Sequence, residues 1–200
     1  GMERLALHFY NYYKAQGYNV KAIKLIKLKT DIINFGDDEF YFSDRDFYQM
    51  SVVKRLLFYI TAPRHIRSII QKEKITHSIS FGDMTNVFSS LTFTNEFKVA
   101  SIHALKSVEF NNNNILNKVF KFSFKTSYKH FNKVVCISKA IKKDLIEKCG
   151  YKFNNLEVIY NPHDLELIRN LAQENITDTF EKELFSKKVV LFLGRLSIQK

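Results

Sequence analysis

Apolar residues recur along this chain in alternating stretches of helical period and of strand length. Leu5, Ala6, Phe9, Tyr12 and Tyr13 follow helical spacing, with Gly17 just beyond them as a stop signal. Tyr18 to Leu28 alternates lysine with Val, Ile and Leu and reads as a strand. Phe35-Gly36-Asp37-Asp38 reads as a turn, and the aromatic stretch after it fits neither period. Lys54 to Glu73 carries Leu57, Ile60, Ile66, Ile69 and Ile70, a helix bent or started afresh at Pro63.

From Ile75 onward the alternation is regular. Ile75–Phe81 is a strand, and Met84, Val87, Phe88 and Leu91 form the inner face of a helix. Phe97–Ile102 is a strand, followed by an asparagine loop (Asn111 to Asn114) and a helix through about Tyr128. Val134–Ile137 is a short strand, Lys139–Cys149 a helix closed by Gly150, Leu156–Tyr160 a strand and Leu165–Ala172 a helix. Gln173–Lys187 reads as a polar, charged connection, and the apolar run from Val189 leads into Gly194. Strands alternating with helices predict an α/β fold, a Rossmann-like open parallel sheet with helices on both faces. The expected division places a first domain at residues 1–183 and the opening strand and loop of a second at 184–200.

Composition narrows the function. With 46% hydrophobic residues and few Gly or Pro, the chain can fill a core, and no stretch has a disordered composition. Cys136 and Cys149 lack metal-ligand spacing and suggest no disulfide framework, which predicts a reduced, cytoplasmic protein. No apolar run approaches membrane-spanning length. The net charge of +11 suits phosphorylated substrates, anionic lipid or nucleic acid. A basic nucleic-acid-binding or interaction domain is therefore the alternative reading. No arginine-rich block or RNA-binding signature accompanies the charge, so nucleic acid is not the expected partner.

In an open parallel sheet, ligands bind outside the carboxyl ends of the strands. The residues just past the predicted strands are Gly82-Asp83, His103, Ser138, Asn161-Pro162-His163 and Gly194-Arg195. Each can hydrogen-bond, titrate or let the backbone approach a ligand. A polar strand end is ordinary at any one position, and Ser138 reads equally as a helix cap. Taken together with the Gly194-Arg195 loop, whose second cation is Lys200, the set predicts a shared cleft. That loop suits a diphosphate. His103 has the widest chemistry, since a histidine near a neutral pKa can orient or deprotonate a hydroxyl. No histidine pair has metal-ligand spacing and no G-x-S-x-G elbow occurs.

These motifs carry a resemblance. Gly1-Met2-Glu3-Arg4 before an amphipathic helix is similar to the glycine-rich opening of family 4 glycosyltransferases of the GT-B fold. Val135-Cys136-Ile137-Ser138-Lys139 and Val158-Ile159-Tyr160-Asn161-Pro162-His163-Asp164 resemble later motifs of that family's amino-terminal domain. Leu193-Gly194-Arg195-Leu196 through Lys200 resembles the first donor-binding segment of its carboxy-terminal domain. The resemblance implies the amino-terminal half of a retaining hexosyltransferase that uses a nucleoside-diphosphate sugar. It implies a glycan or lipid-linked acceptor, of the kind used in bacterial surface polysaccharide synthesis. His103 then lies near the transferred sugar, Gly1, Arg195 and Lys200 serve the donor, and Gly82, Asp83, Ser138 and Asn161 line the acceptor side. No metal or other cofactor is expected, because two side-chain cations would stabilise the departing diphosphate. The family places a strand ahead of the glycine loop, whereas Gly1 is the first residue here, and residues 1–200 alone are expected to be nearly inactive.

One segment stands outside this scheme. Lys118-Val119-Phe120-Lys121-Phe122-Ser123-Phe124-Lys125, continued by Lys129, His130 and Lys133, mixes phenylalanine with cations. It reads as a helix with a buried aromatic face and a wet basic face, or as a surface for anionic lipid at the inner face of a membrane.

Overall fold

The computed structural model describes residues 2–112 and 114–191, and the chain divides into two compact units, one up to Tyr160 and one from Asn161. In the first unit, helix α1 (Met2–Ala15) leads through strand β1 (Ala22–Lys24) and strand β2 (Glu39–Tyr41) to helix α2 (Val52–Lys72). Strand β3 (His77–Phe81), helix α3 (Asp83–Ser90) and strand β4 (Phe97–Ile102) follow. A single-turn helix α4 (Lys106–Glu109), helix α5 (Ile115–Lys125), strand β5 (Lys133–Cys136), helix α6 (Lys139–Glu147) and strand β6 (Leu156–Val158) complete it. The second unit holds helices α7 (Leu165–Leu171) and α8 (Thr179–Phe185). The 183/184 division drawn from the sequence falls inside that unit, within α8.

All strand pairs among the described residues are parallel. Among the described residues they form a four-stranded sheet in the order β3-β4-β5-β6 and a separate pair β1-β2, where the sequence predicted one sheet. The registers Ala100↔Val134, Ile102↔Cys136 and Cys136↔Val158 put small and branched residues on one face. Ala100, Ile102, Val134 and Cys136 are at most 1% exposed there, under Val87 of α3, Phe124 of α5, and Ile141 and Leu145 of α6. Phe81 has the opposite parity, and Phe9 of α1 packs on it at 6.0 Å between ring centroids. Helices therefore lie on both faces, as the alternation predicted.

A second core joins α2 to the β1-β2 pair. Phe58, Ala62, Ile66 and Ile70 line one side of α2 and meet Phe88 of α3, with Ile23, Leu25 and Phe42 packed around them. Pro63 lies inside this one continuous 21-residue helix and does not divide it. The apolar stripe runs through the proline without a break, and its packing offsets the missing backbone hydrogen bond.

The predicted strand from Tyr18 to Leu28 pairs only over Ala22–Lys24. Its lysines turn inward to a carboxylate the sequence did not single out. Glu39, with its side chain 1% exposed, receives Lys27 at 2.7 Å and Lys24 at 3.4 Å. Nearby, Asp38 accepts hydrogen bonds from Tyr10 at 2.8 Å and from Lys14 and Lys21 at 2.7 Å each. Those donors hold the Asp38 carboxyl well below the usual range and tie α1 to the approach of β2. The Gln173–Lys187 stretch, read as a connection, contains α8, capped by the Asp178 side chain, which accepts from the Glu181 amide at 2.9 Å.

The Phe124 ring is fully buried against Phe110 and Tyr128, which predicts a large cost for removing it. Phe124→Ala is expected to lower unfolding free energy by about 3–5 kcal/mol in urea titrations. A loss under about 1 kcal/mol would mean that α5 does not close the core.

Candidate active site

The carboxyl ends of β3, β4 and β5 lie side by side in the sheet, so the residues that follow them share one edge. Gly82 follows β3 with φ of +95°, a conformation open to glycine and strained for other residues, and Asp83 begins α3. The Met2 side chain sits over Gly82, with its Sδ and Cε 3.7 Å from where a Cβ would stand. Buried Asn86 of α3 braces this corner, accepting from Ser80 Oγ at 2.7 Å and donating to the Ser101 carbonyl at 3.2 Å.

His103 follows β4. Its Nε2 lies 2.9 Å from Ser101 Oγ and its ring packs beside Phe81 at 6.2 Å. Burial, and then the nearby Lys106 ammonium, push its pKa below the ordinary 6.5. The imidazole is therefore neutral at pH 7, with Nδ1 as the ring nitrogen not used by Ser101. A neutral imidazole can accept a proton or hydrogen-bond a hydroxyl.

Lys106 is a site residue that sequence reading missed. It is 3% exposed, and its Nζ donates to Asp83 Oδ2 at 2.9 Å and to Glu109 Oε2 at 2.5 Å. Asp83 Oδ1 is buried with no hydrogen-bond partner among the described residues. Burial raises the Asp83 pKa against the opposing pull of Lys106. Helix α4, which carries Lys106, is clamped from α6: buried Asp144 accepts from the Ser107 amide at 2.9 Å and from the Ser107 hydroxyl. One turn of helix has no periodicity to read, which hid α4 and its lysine.

Ser138, after β5, accepts from the Ile141 amide at 3.2 Å and caps α6. Its oxygen thus serves the helix, the ordinary role for a serine there. Asn161 follows β6 by three residues and belongs to the second compact unit. Gly1, Arg195 and Lys200 lie outside the described residues. The structure thus brings Gly82, Asp83 and His103 to one edge with Lys106, and places Ser138 at the end of the adjoining strand β5. No group of three or more His, Cys, Asp or Glu side chains that could hold a metal ion occurs among the described residues.

A separate depression lies elsewhere. It has about 520 Å³ and is lined by Arg67, Lys74, Thr76, Phe93 and Glu96, at the amino ends of β3 and β4. Glu96 there is committed to the interior, with Ser78 Oγ at 3.3 Å and buried Lys98 at 3.8 Å. The carboxyl edge, with its neutral histidine and its buried ion pair, is the better-equipped chemical site.

The depressed pKa of His103 has a consequence for stability. The unfolded chain takes up this proton first as pH falls below 6.5, so stability supplied by the neutral ring is present above that pH. It is lost progressively toward the lower folded value. Ring-proton NMR should show His103 titrating below 6.5, and Lys106→Met should move it part of the way back up. Titration of His103 at its ordinary value in the native chain would refute the burial and Lys106 effects together.

The sequence matches the family model for Glycosyltransferase Family 4 over residues 1–167. A search of curated proteins gives no match. The match spans β3 to β6 and every strand-end residue through Asn161, the same parallel scaffold that gathers Gly82, Asp83 and His103. The chain belongs to glycosyltransferase family 4.

Proposed function

We propose that the protein is a retaining glycosyltransferase that moves a hexose from a nucleoside-diphosphate sugar to a glycan or lipid-linked acceptor in surface polysaccharide synthesis. Family membership supports sugar transfer in general, and the place of His103 at the carboxyl edge, held by Ser101 and Phe81, is the observation that carries the reading to residues. In this scheme the anomeric carbon–oxygen bond to the diphosphate breaks as the acceptor hydroxyl oxygen attacks from the same face, and the hydroxyl proton passes to the departing diphosphate. His103 hydrogen-bonds a hydroxyl of the transferred sugar, and Gly82 and Asp83 border the acceptor. Arg195 and Lys200 bind the departing diphosphate, so that no metal is required. Gly1 lies beside the donor, and Ser138 and Asn161 border the cleft. Work of this kind fits a cytoplasmic protein in contact with the inner membrane face, and no described helix is long and apolar enough to cross a membrane. Residues 1–200 alone carry little turnover in this scheme, because the donor is held largely by a second domain.

The test uses the protein with both domains and a panel of nucleoside-diphosphate sugars. The product should keep the anomeric configuration of the donor, as read by NMR coupling constants. Arg195→Ala should weaken donor binding about tenfold or more, since a charge-assisted hydrogen bond is worth about 1.5–3 kcal/mol. His103→Ala should lower turnover far more than it lowers stability. An inverted product would refute retention, and unchanged calorimetric affinity in Arg195→Ala would remove that residue from the donor site.

A further inference from the structure

Helix α5 does not bury all of its apolar residues. Phe124 is fully buried and Phe120 packs against the same core, yet Ile115, Val119 and Phe122 on the other side are 80%, 46% and 66% exposed. These three positions follow i, i+4 and i+7 spacing, one unbroken stripe along the helix. Leu105 and Val108, in and beside α4, add exposed apolar surface two to five residues past His103. The lysines follow the stripe. Lys118 and Lys125 of α5 and Lys129 just beyond it are exposed, and no acidic residue occurs anywhere from Phe110 to Lys143.

We infer that the α4–α5 stripe docks on the surface of an anionic lipid bilayer. Val119, Phe122 and Ile115 insert at the level of the head groups, and Lys118, Lys125 and Lys129 contact lipid phosphates. The chemistry of the rim selects this occupant over a second copy of the chain. Two copies joined stripe to stripe would bring like charges together around the seam, in a chain that already carries +11. An acidic membrane presents the complementary charge and an apolar interior within one surface. Docking here would set the His103 edge close to the head groups, a few residues from α4. The inference rests on the membrane contact in the proposed function and not on the transfer chemistry, so a negative vesicle result would remove that contact and leave the transfer reading standing.

Co-sedimentation of residues 1–200 with vesicles tests it, using phosphatidylcholine alone and phosphatidylcholine with phosphatidylglycerol. Binding is expected with the anionic vesicles at low salt, falling as salt rises. Because the altered side chains are exposed, Val119→Glu with Phe122→Glu should keep the circular dichroism spectrum and reduce binding about tenfold or more. Lys118→Glu, Lys125→Glu and Lys129→Glu together should reduce it comparably. The exposed aliphatic residues of α2 supply the control, since Leu56 is 61% exposed. Absence of binding to anionic vesicles would overturn the inference. So would binding that Leu56→Glu abolishes and Val119→Glu with Phe122→Glu leaves intact, or a stable dimer in sedimentation equilibrium that Phe122→Glu dissociates.

Discussion

The register of the four parallel strands is the constraint on which the rest of this molecule depends. Ala100 beside Val134 and Ile102 beside Cys136 give α3, α5 and α6 a smooth, dry face to close over. A shift of one residue in β4 would move Ala100 and Ile102 to the opposite face and set Val99 and Ser101 under α3, α5 and α6 in their place. The same register fixes the site. With β3, β4 and β5 held level, Gly82, His103 and Ser138 emerge along one edge, although 56 residues of sequence separate the first from the last.

Electrostatics at that edge follows from how deeply it is set. Lys106 is almost wholly buried, so its charge is held by Asp83 and Glu109 rather than by water. Buried pairs of this kind persist only where the geometry is good, and the clamp of Asp144 on Ser107 supplies the geometry. The outcome is a cation beside a histidine that stays neutral. An imidazole beside this ion-paired lysine is suited to hydroxyl groups.

Much of this was legible in the sequence because short parallel strands leave a clear trace. Apolar runs bounded by polar residues located β3 through β6, and the predicted Phe97–Ile102 coincides with β4. The strand-end rule then pointed to Gly82, Asp83 and His103. Legibility failed where tertiary contacts outweigh pattern. The stretch from Tyr18 to Leu28 read as one strand, whereas Lys24 and Lys27 within it are turned inward by Glu39. Pro63 looked like a break and is carried through by the packing of Phe58, Ala62 and Ile66. The phenylalanines of α5 looked like one set, whereas Phe120 and Phe124 enter the core and Phe122 stays outside. Lys106, Asn86 and Asp144 carry no sequence signal, since each owes its role to a partner at least 15 residues away.

Ligands are expected to meet this chain at the carboxyl edge of the sheet. Amide NMR shift mapping tests it most directly, with the protein carrying both domains titrated against nucleoside-diphosphate sugars and simple glycosides. Shifts are expected to saturate together at Gly82, Asp83, His103, Lys106 and Ser138. Shifts confined to the opposite edge, around Thr76, Phe93 and Glu96, would contradict it.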